Sequence, residues 1–221
     1  MAKEINKEQE AVMSAVSKTE EFFNKYSKAL WISLAVLVIL CGAGYLTYRY
    51  AYLPKKAEAL GQMYKAEANF RAGNYELALN GDGNDLGFIQ LIDEYGKKVG
   101  KDAYLYAAIC QMELGDAESA LKYVSKYSTN DPIMKGRALA VKGDAYVNLD
   151  ENAKAVKCYE NAASASDNNF SAAYLLKAGI IYEAMGEDAK ALAAYKEIKE
   201  KYPRSFEAYE IDKYIARIEV K

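Results

Sequence analysis

Histidine is absent from this 221-residue chain. That removes the commonest general base, the commonest transition-metal ligand and the usual switch near neutral pH. Cysteine is scarce: Cys41, Cys110 and Cys158 are the only three, and none pairs as CxxC. Zinc and thioredoxin-like chemistry are thereby excluded. Without histidine, a serine or cysteine nucleophile would need an unusual base, and no such constellation stands out. We expect no catalytic residues, no metal, no cofactor and no small-molecule substrate. Net charge is also lacking, at −2, so no field favours nucleic acid. Proline occurs three times, and no series of alternating strands is present. What remains is a chain rich in Ala, Lys, Glu, Leu and Tyr, which predicts an all-α fold.

One segment is free of charge. Residues 29–48 read ALWISLAVLVILCGAGYLTY between Lys28 and Arg49. Twenty residues at about 1.5 Å each span about 30 Å, the thickness of a bilayer core. Trp31 stands near one end and Tyr45 and Tyr48 near the other, as interfacial aromatics do. A cleaved signal peptide would want a shorter apolar core, whereas here the core is full length and 28 residues precede it. A lipoprotein signal would need a small residue before its cysteine, but Leu40 precedes Cys41. Orientation stays open from charge: Lys18, Lys25 and Lys28 precede the span, and Arg49, Lys55 and Lys56 follow it.

Residues 1–28 carry five lysines and five glutamates. Val12, Val16, Thr19, Phe23 and Tyr26 share one helical stripe. It serves either as a solvated lead-in to the span or as a docking edge for a partner or the membrane surface. Residues 49–55 form a short linker.

Internal repeats organise the rest. RAGNYELALN (71–80), ELGDAESALKYV (113–124), NLDENAKAVKCY (148–159) and AMGEDAKALAAY (184–195) align on Gly73, Gly115, Asp150 and Gly186. Five residues on stand Ala78, Ala120, Ala155 and Ala191. Seven residues before the turn stand Ala66, Ala108, Gly143 and Gly179, and three after these Asn69, Gln111, Tyr146 and Tyr182. The spacing approaches the 34-residue period of tetratricopeptide repeats. The turn residue should be left-handed, the small residues should let paired helices approach, and Tyr159 and Tyr195 should fill gaps between repeats. The fold expected is a right-handed α-superhelix over 56–204, with three clear repeats and one degenerate. Helix pairs are predicted at 56–72 with 74–80, 101–114 with 117–128, 133–149 with 152–164, and 170–185 with 188–201. A capping helix within 205–221 begins at Ser205.

The insert at 80–100 contains GDGND but not the EF-hand order. Asp85 or Asn84 is expected to cap the helix holding Phe88, Ile89, Leu91 and Ile92. The inner face of the superhelix should draw on Met63, Phe70, Leu105, Ile109, Met112, Ala140, Asp144, Val147, Leu176 and Ile180. Such a row suits a groove for apolar segments, since Met adapts its shape, and equally a core buried between repeats. Met63, Glu67, Leu105 and Ile109 stand where a clamp for a terminal carboxylate would need Lys and Asn.

Anchor, lysine-bearing lead-in, LALNGDGNDLGFIQLIDEYG (77–96) and degenerate repeats together resemble membrane-anchored tetratricopeptide proteins of Bacteroidetes-type bacteria, similar to the YfgM-like ancillary subunit of the Sec translocon. The resemblance implies a single-pass protein of the bacterial inner membrane, with a cytoplasmic N-terminus and a periplasmic repeat domain. Its partners would be the SecYEG translocon, a periplasmic chaperone of the prolyl-isomerase type and exported clients. It supplies no catalytic residues. A scaffold for envelope assembly or cell division is the alternative on the same architecture.

Overall fold

The computed structural model describes residues 2–220, and the side chains of residues 13, 16, 17 and 19–220. Val12 of the lead-in stripe and Lys18 of the charge comparison fall outside the described side chains. Among the described residues there are helices and turns but no strand. The chain divides into two compact units, Met1–Pro54 and Lys55–Lys221.

The first unit is dominated by α1 (Ala2–Thr47), a helix of 46 residues that carries lead-in and apolar segment on one rod about 70 Å long. A π-helical turn, Tyr48–Tyr52, follows, with the Leu53 amide donating to the Tyr48 carbonyl. The rings of Tyr48 and Tyr52 stack there with centroids 5.5 Å apart. Nothing within the chain covers the apolar residues: Leu30, Ile32, Leu37, Ile39, Leu40 and Leu46 are all exposed. Two hydroxyls of the apolar segment turn back on its own backbone, Ser33 Oγ donating to the Leu30 carbonyl at 2.8 Å and Thr47 Oγ1 to the Gly44 carbonyl at 2.9 Å. A helix that satisfies its polar groups internally and leaves its apolar ones uncovered is long and apolar enough to cross a membrane.

The second unit is a stack of helical hairpins. α2 (Leu53–Arg71) pairs with α3 (Tyr75–Asn80), and α4 (Phe88–Tyr95) follows. Then come α5 (Asp102–Glu113) with α6 (Ala117–Val124), α7 (Pro132–Asn148) with α8 (Asn152–Ser166), and α9 (Asn169–Ala184) with α10 (Asp188–Lys201). The last helix is α11 (Ile211–Glu219).

Each hairpin turns by the same device. Gly73, Gly115, Asp150 and Gly186 have φ of +78°, +86°, +58° and +75°. The next residue then donates its amide five positions back: Asn74 to Asn69, Asp116 to Gln111, Glu151 to Tyr146 and Glu187 to Tyr182, all at 2.8–2.9 Å. This six-to-one bond satisfies a carbonyl that a helix end would otherwise leave free. Side-chain caps open the next helices. Asp116 Oδ1 accepts from the Ser119 amide at 2.9 Å, Asp131 Oδ1 from Met134 at 2.8 Å, and Asn168 Oδ1 from Phe170 at 2.8 Å.

Three local expectations need correction. Neither Asp85 nor Asn84 caps α4. Its N-cap is Gly87, whose amide donates to Gln90 Oε1 at 3.1 Å. Asp82 instead closes the loop, accepting from the Asn84 and Asp85 amides at 2.9 and 2.8 Å, while Asp85 pairs with Lys65. Glycine is required because a Cβ on Gly87 would lie 2.4 Å from the Gly81 nitrogen and the Leu79 oxygen. Secondly, α6 stops at Val124 rather than 128, since the Lys126 and Tyr127 amides fold back three residues to Tyr123 and Val124 and tighten the last turn. Thirdly, α11 starts at Ile211 rather than Ser205. Ser205 is buried and its Oγ accepts the Ala208 amide at 3.2 Å, within a separate 3-10 turn at Glu207–Tyr209 whose N-cap is Phe206. α11 then seats Ile211, Ile215 and Ile218 on the end of the stack.

Candidate protein-interaction surface

The residues expected along the inner face do not form one open row. Met63 and Leu105 are only 5% and 3% exposed. Met63 sits in the core with Ala59, Phe88 and Leu91, and Leu105 in another with Ala108, Val124 and Ala138. Phe70 is half-buried edge-on to Tyr106, with centroids 5.0 Å apart, and to Phe88 at 6.4 Å. Ile109, Met112, Val147 and Leu176 are each half-buried against a different cluster. Ile180 is 42% exposed. Repeats that close on one another absorb these side chains two or three at a time, because no repeat can bury its apolar face alone.

Charge occupies the same helices. Tyr159 Oη donates to Asp144 at 2.6 Å, and Lys177 of the following hairpin reaches the same oxygen at 2.5 Å. One step on, Tyr195 Oη donates to Glu183 at 2.7 Å, and Arg217 of α11 binds that carboxylate at 2.6 and 3.1 Å. Tyr182 Oη donates to Glu160 at 2.6 Å. Burial, with the adjoining carboxylate second, pushes all three phenols well above their ordinary value of 10. The Tyr159 and Tyr195 bonds close their own hairpins, while Lys177, Arg217 and the Tyr182–Glu160 bond tie the α7–α8 hairpin to α9 and α9 to α11. Spacing did not reveal them, because tyrosine and carboxylate are 15 residues apart in one case and 12 in the other. The paired signal was an acid on each first helix and a basic residue on the next.

The tetratricopeptide repeat family profile matches residues 102–132 and 173–205. The matched segments correspond to the α5–α6 and α9–α10 pairs, which are tetratricopeptide repeats. Among solved structures, one titled "Crystal structure of MamA protein" is similar with a TM-score of 0.53 and 19% identity, over 75% of this chain and 87% of that one. Another, titled "Crystal structure of MamA", gives a TM-score of 0.44 and 23% identity over 60% and 87%. The first likeness bears on the fold, a stack of such repeats. No curated protein sequence matches.

The tetratricopeptide packing rule is visible at two glycines. A Cβ on Gly143 would lie 2.7 Å from Tyr159 Cε1, and one on Gly179 only 2.2 Å from Tyr195 Cε1. Each tyrosine therefore rests on the glycine of its own repeat as well as filling the space toward the next. Cys110 is buried, and desolvation pushes its thiol up to about 12; Cys158 is raised for the same reason. Both act as small apolar side chains. Among the described residues no group of three His, Cys, Asp or Glu could hold a metal ion. Trp31 and Tyr45 of α1 and Tyr48 at the start of the π-helical turn are all exposed, the first and last about 25 Å apart along the helix axis.

Proposed function

We propose that this chain is a membrane-anchored scaffold at the protein-export channel, an ancillary subunit or holdase of the SecYEG translocon that works with a periplasmic chaperone of the prolyl-isomerase type. The observation that carries this reading is the pairing of tetratricopeptide repeats, a fold that binds proteins, with one uncovered apolar helix. Residues 29–48 would cross the inner membrane, with Trp31, Tyr45 and Tyr48 at its two interfaces and residues 1–28 in the cytoplasm. The repeats would then work in the periplasm, with residues 49–55 as linker and 205–221 as cap. Phe70, Ile109, Met112, Val147, Leu176 and Ile180 would supply the apolar contacts, as the members of the inner row that are not fully sealed. The sequence resemblance supplies the choice of machinery.

A photo-crosslinking side chain at Ile109 or Ile180 of the full chain, in intact cells, tests this. SecYEG subunits, a chaperone or emerging exported chains should be trapped. Capture of soluble cell-wall enzymes alone would overturn the reading in favour of an envelope-assembly scaffold. Protease added to spheroplasts should digest the repeats and spare residues 1–28.

A further inference from the structure

Cations are distributed unevenly in the repeat domain. Ten ion pairs involve Lys65, Arg71, Lys154, Lys177, Lys190, Lys196, Lys199, Lys201, Lys213 and Arg217. Not one of these cations falls between Lys97 and Lys142. That stretch carries eight Lys and Arg against five Asp and Glu, whereas residues 143–221 carry eleven against fourteen. Two of the five carboxylates, Asp116 and Asp131, are turned onto helix N-termini as caps. Lys101 reaches only the Ser128 hydroxyl, Lys126 lies over the Tyr104 ring and Lys142 over the Tyr146 ring. Lys135 has no ionic partner among the described residues.

Part of this unpaired charge lines a concavity. Between the loop after α6 and the first half of α7 lies a cleft of about 270 Å³. Val124, Ala138 and Leu139 give it apolar walls, Thr129 contributes a hydroxyl, and Lys135 and Lys142 supply two ammonium groups. At about 100° per residue, Lys135, Leu139 and Lys142 fall on the far side of α7 from Ala140, Asp144 and Val147. On α7 the cleft therefore faces away from those residues, while its walls Val124 and Ala138 share a core with Leu105 and Ile109.

We propose that this cleft docks an acidic peptide segment of a partner protein, with an apolar side chain of that segment in the cleft and its carboxylates on Lys135 and Lys142. Complementarity of charge is one argument: this is the region of the stack with cations in excess and no internal ion pairs. Shape is the other, since a cavity of side-chain size with apolar walls suits a protruding residue, whereas a lipid surface presents a plane. The proposal does not rest on the translocon reading, which draws on Val147 across α7 and on apolar residues of neighbouring helices.

The test uses the full chain in nanodiscs of zwitterionic phosphatidylcholine and a fluorescein-labelled peptide, Gly-Glu-Glu-Leu-Glu-Glu-Gly, read by anisotropy. Saturable binding is expected, weakening as salt rises. It should fall about tenfold or more when glutamine replaces the peptide's glutamates, and again in Lys135→Glu/Lys142→Glu. Lys157→Glu/Arg204→Glu, an equal charge change at exposed and unpaired positions, should leave it near the wild-type value. The proposal is overturned by absence of saturable binding, by equal loss in both double variants, or by an equally tight glutamine peptide. It is also overturned if the chain ignores the peptide and instead gains Lys135- and Lys142-dependent binding to phosphatidylglycerol vesicles.

Discussion

The two halves of the repeat stack are held by different interactions on one hairpin design. From α2 to α5 the joint is aromatic. Phe70, Phe88 and Tyr106 meet edge-on and stacked, Phe88 and Tyr106 lying 5.2 Å apart and nearly parallel. From α7 to α11 the joint is a tyrosine hydroxyl on a carboxylate that also binds a cation of the next hairpin. The contrast teaches that equivalent turns do not imply equivalent glue. Where polar side chains bond each other between hairpins, Lys177 and Arg217 are held internally; Lys135 and Lys142, which form no ion pair among the described residues, lie on α7 at the boundary between the two halves.

Substitutions can break this comparison. The largest effect is expected from Phe88→Ala, which removes a fully buried ring at the aromatic joint and should cost about 3–5 kcal/mol in denaturant melts. An effect no larger than that of a surface change would refute the aromatic joint. Gly179→Ala should come next. Its Cβ would meet the buried Tyr195 ring, and overpacking of about 1–3 kcal/mol should outweigh the gain in helix propensity; a stabilised variant would show that the ring can move aside. Tyr195→Phe keeps the ring and removes only the hydroxyl. It should cost about 1.5–3 kcal/mol at neutral pH, since the acceptor is charged.

High pH bears on both halves, since burial also raises the Tyr95 and Tyr106 phenols. The Tyr159, Tyr182 and Tyr195 phenols are raised by burial and by their carboxylate partners. In the unfolded chain they ionise near 10, so their protonated links are complete below that pH and stability is lost as pH climbs above it. Thermal melts of the full chain should hold steady from pH 8 to about 10 and fall beyond. Tyr159→Phe/Tyr195→Phe should flatten that fall; an unchanged slope would assign the alkaline loss elsewhere. Smallest of all is Lys199→Ala, which breaks an exposed pair with Asp212 and should shift stability by less than about 1 kcal/mol.

The hairpins were legible in the sequence because their turns depend on local stereochemistry. Gly73, Gly115 and Gly186 mark left-handed positions, and Asp150 shows that the alignment held where the residue type did not. Gly143 and Gly179 were legible for the same reason, since a small residue must face a large one at fixed spacing. Ends of elements were less so. Whether Asp82 or Asp85 closes the insert depends on which backbone amides come within reach, and Ser205 binds the Ala208 amide of a 3-10 turn because the chain bends before α11 seats its isoleucines.

The candidate surface was legible only as a list of apolar positions. Period alone places Met63 and Ile180 on equivalent faces, but it carries no information on what lies opposite. Met63 is covered because α4, contributed by the insert, brings Phe88 and Leu91 into the same cluster. Ile180 stays 42% exposed.

By itself, then, the sequence determined the helical class, the repeat register, the left-handed turns and one uncovered apolar helix. Each follows from a residue's own stereochemistry or from apolar content over a short window. Only the tertiary structure decided which inner residues are sealed, which tyrosine meets which carboxylate, and which lysines are left without a partner. Those are contacts between residues 12 to 35 positions apart, set by how one hairpin stacks on the next.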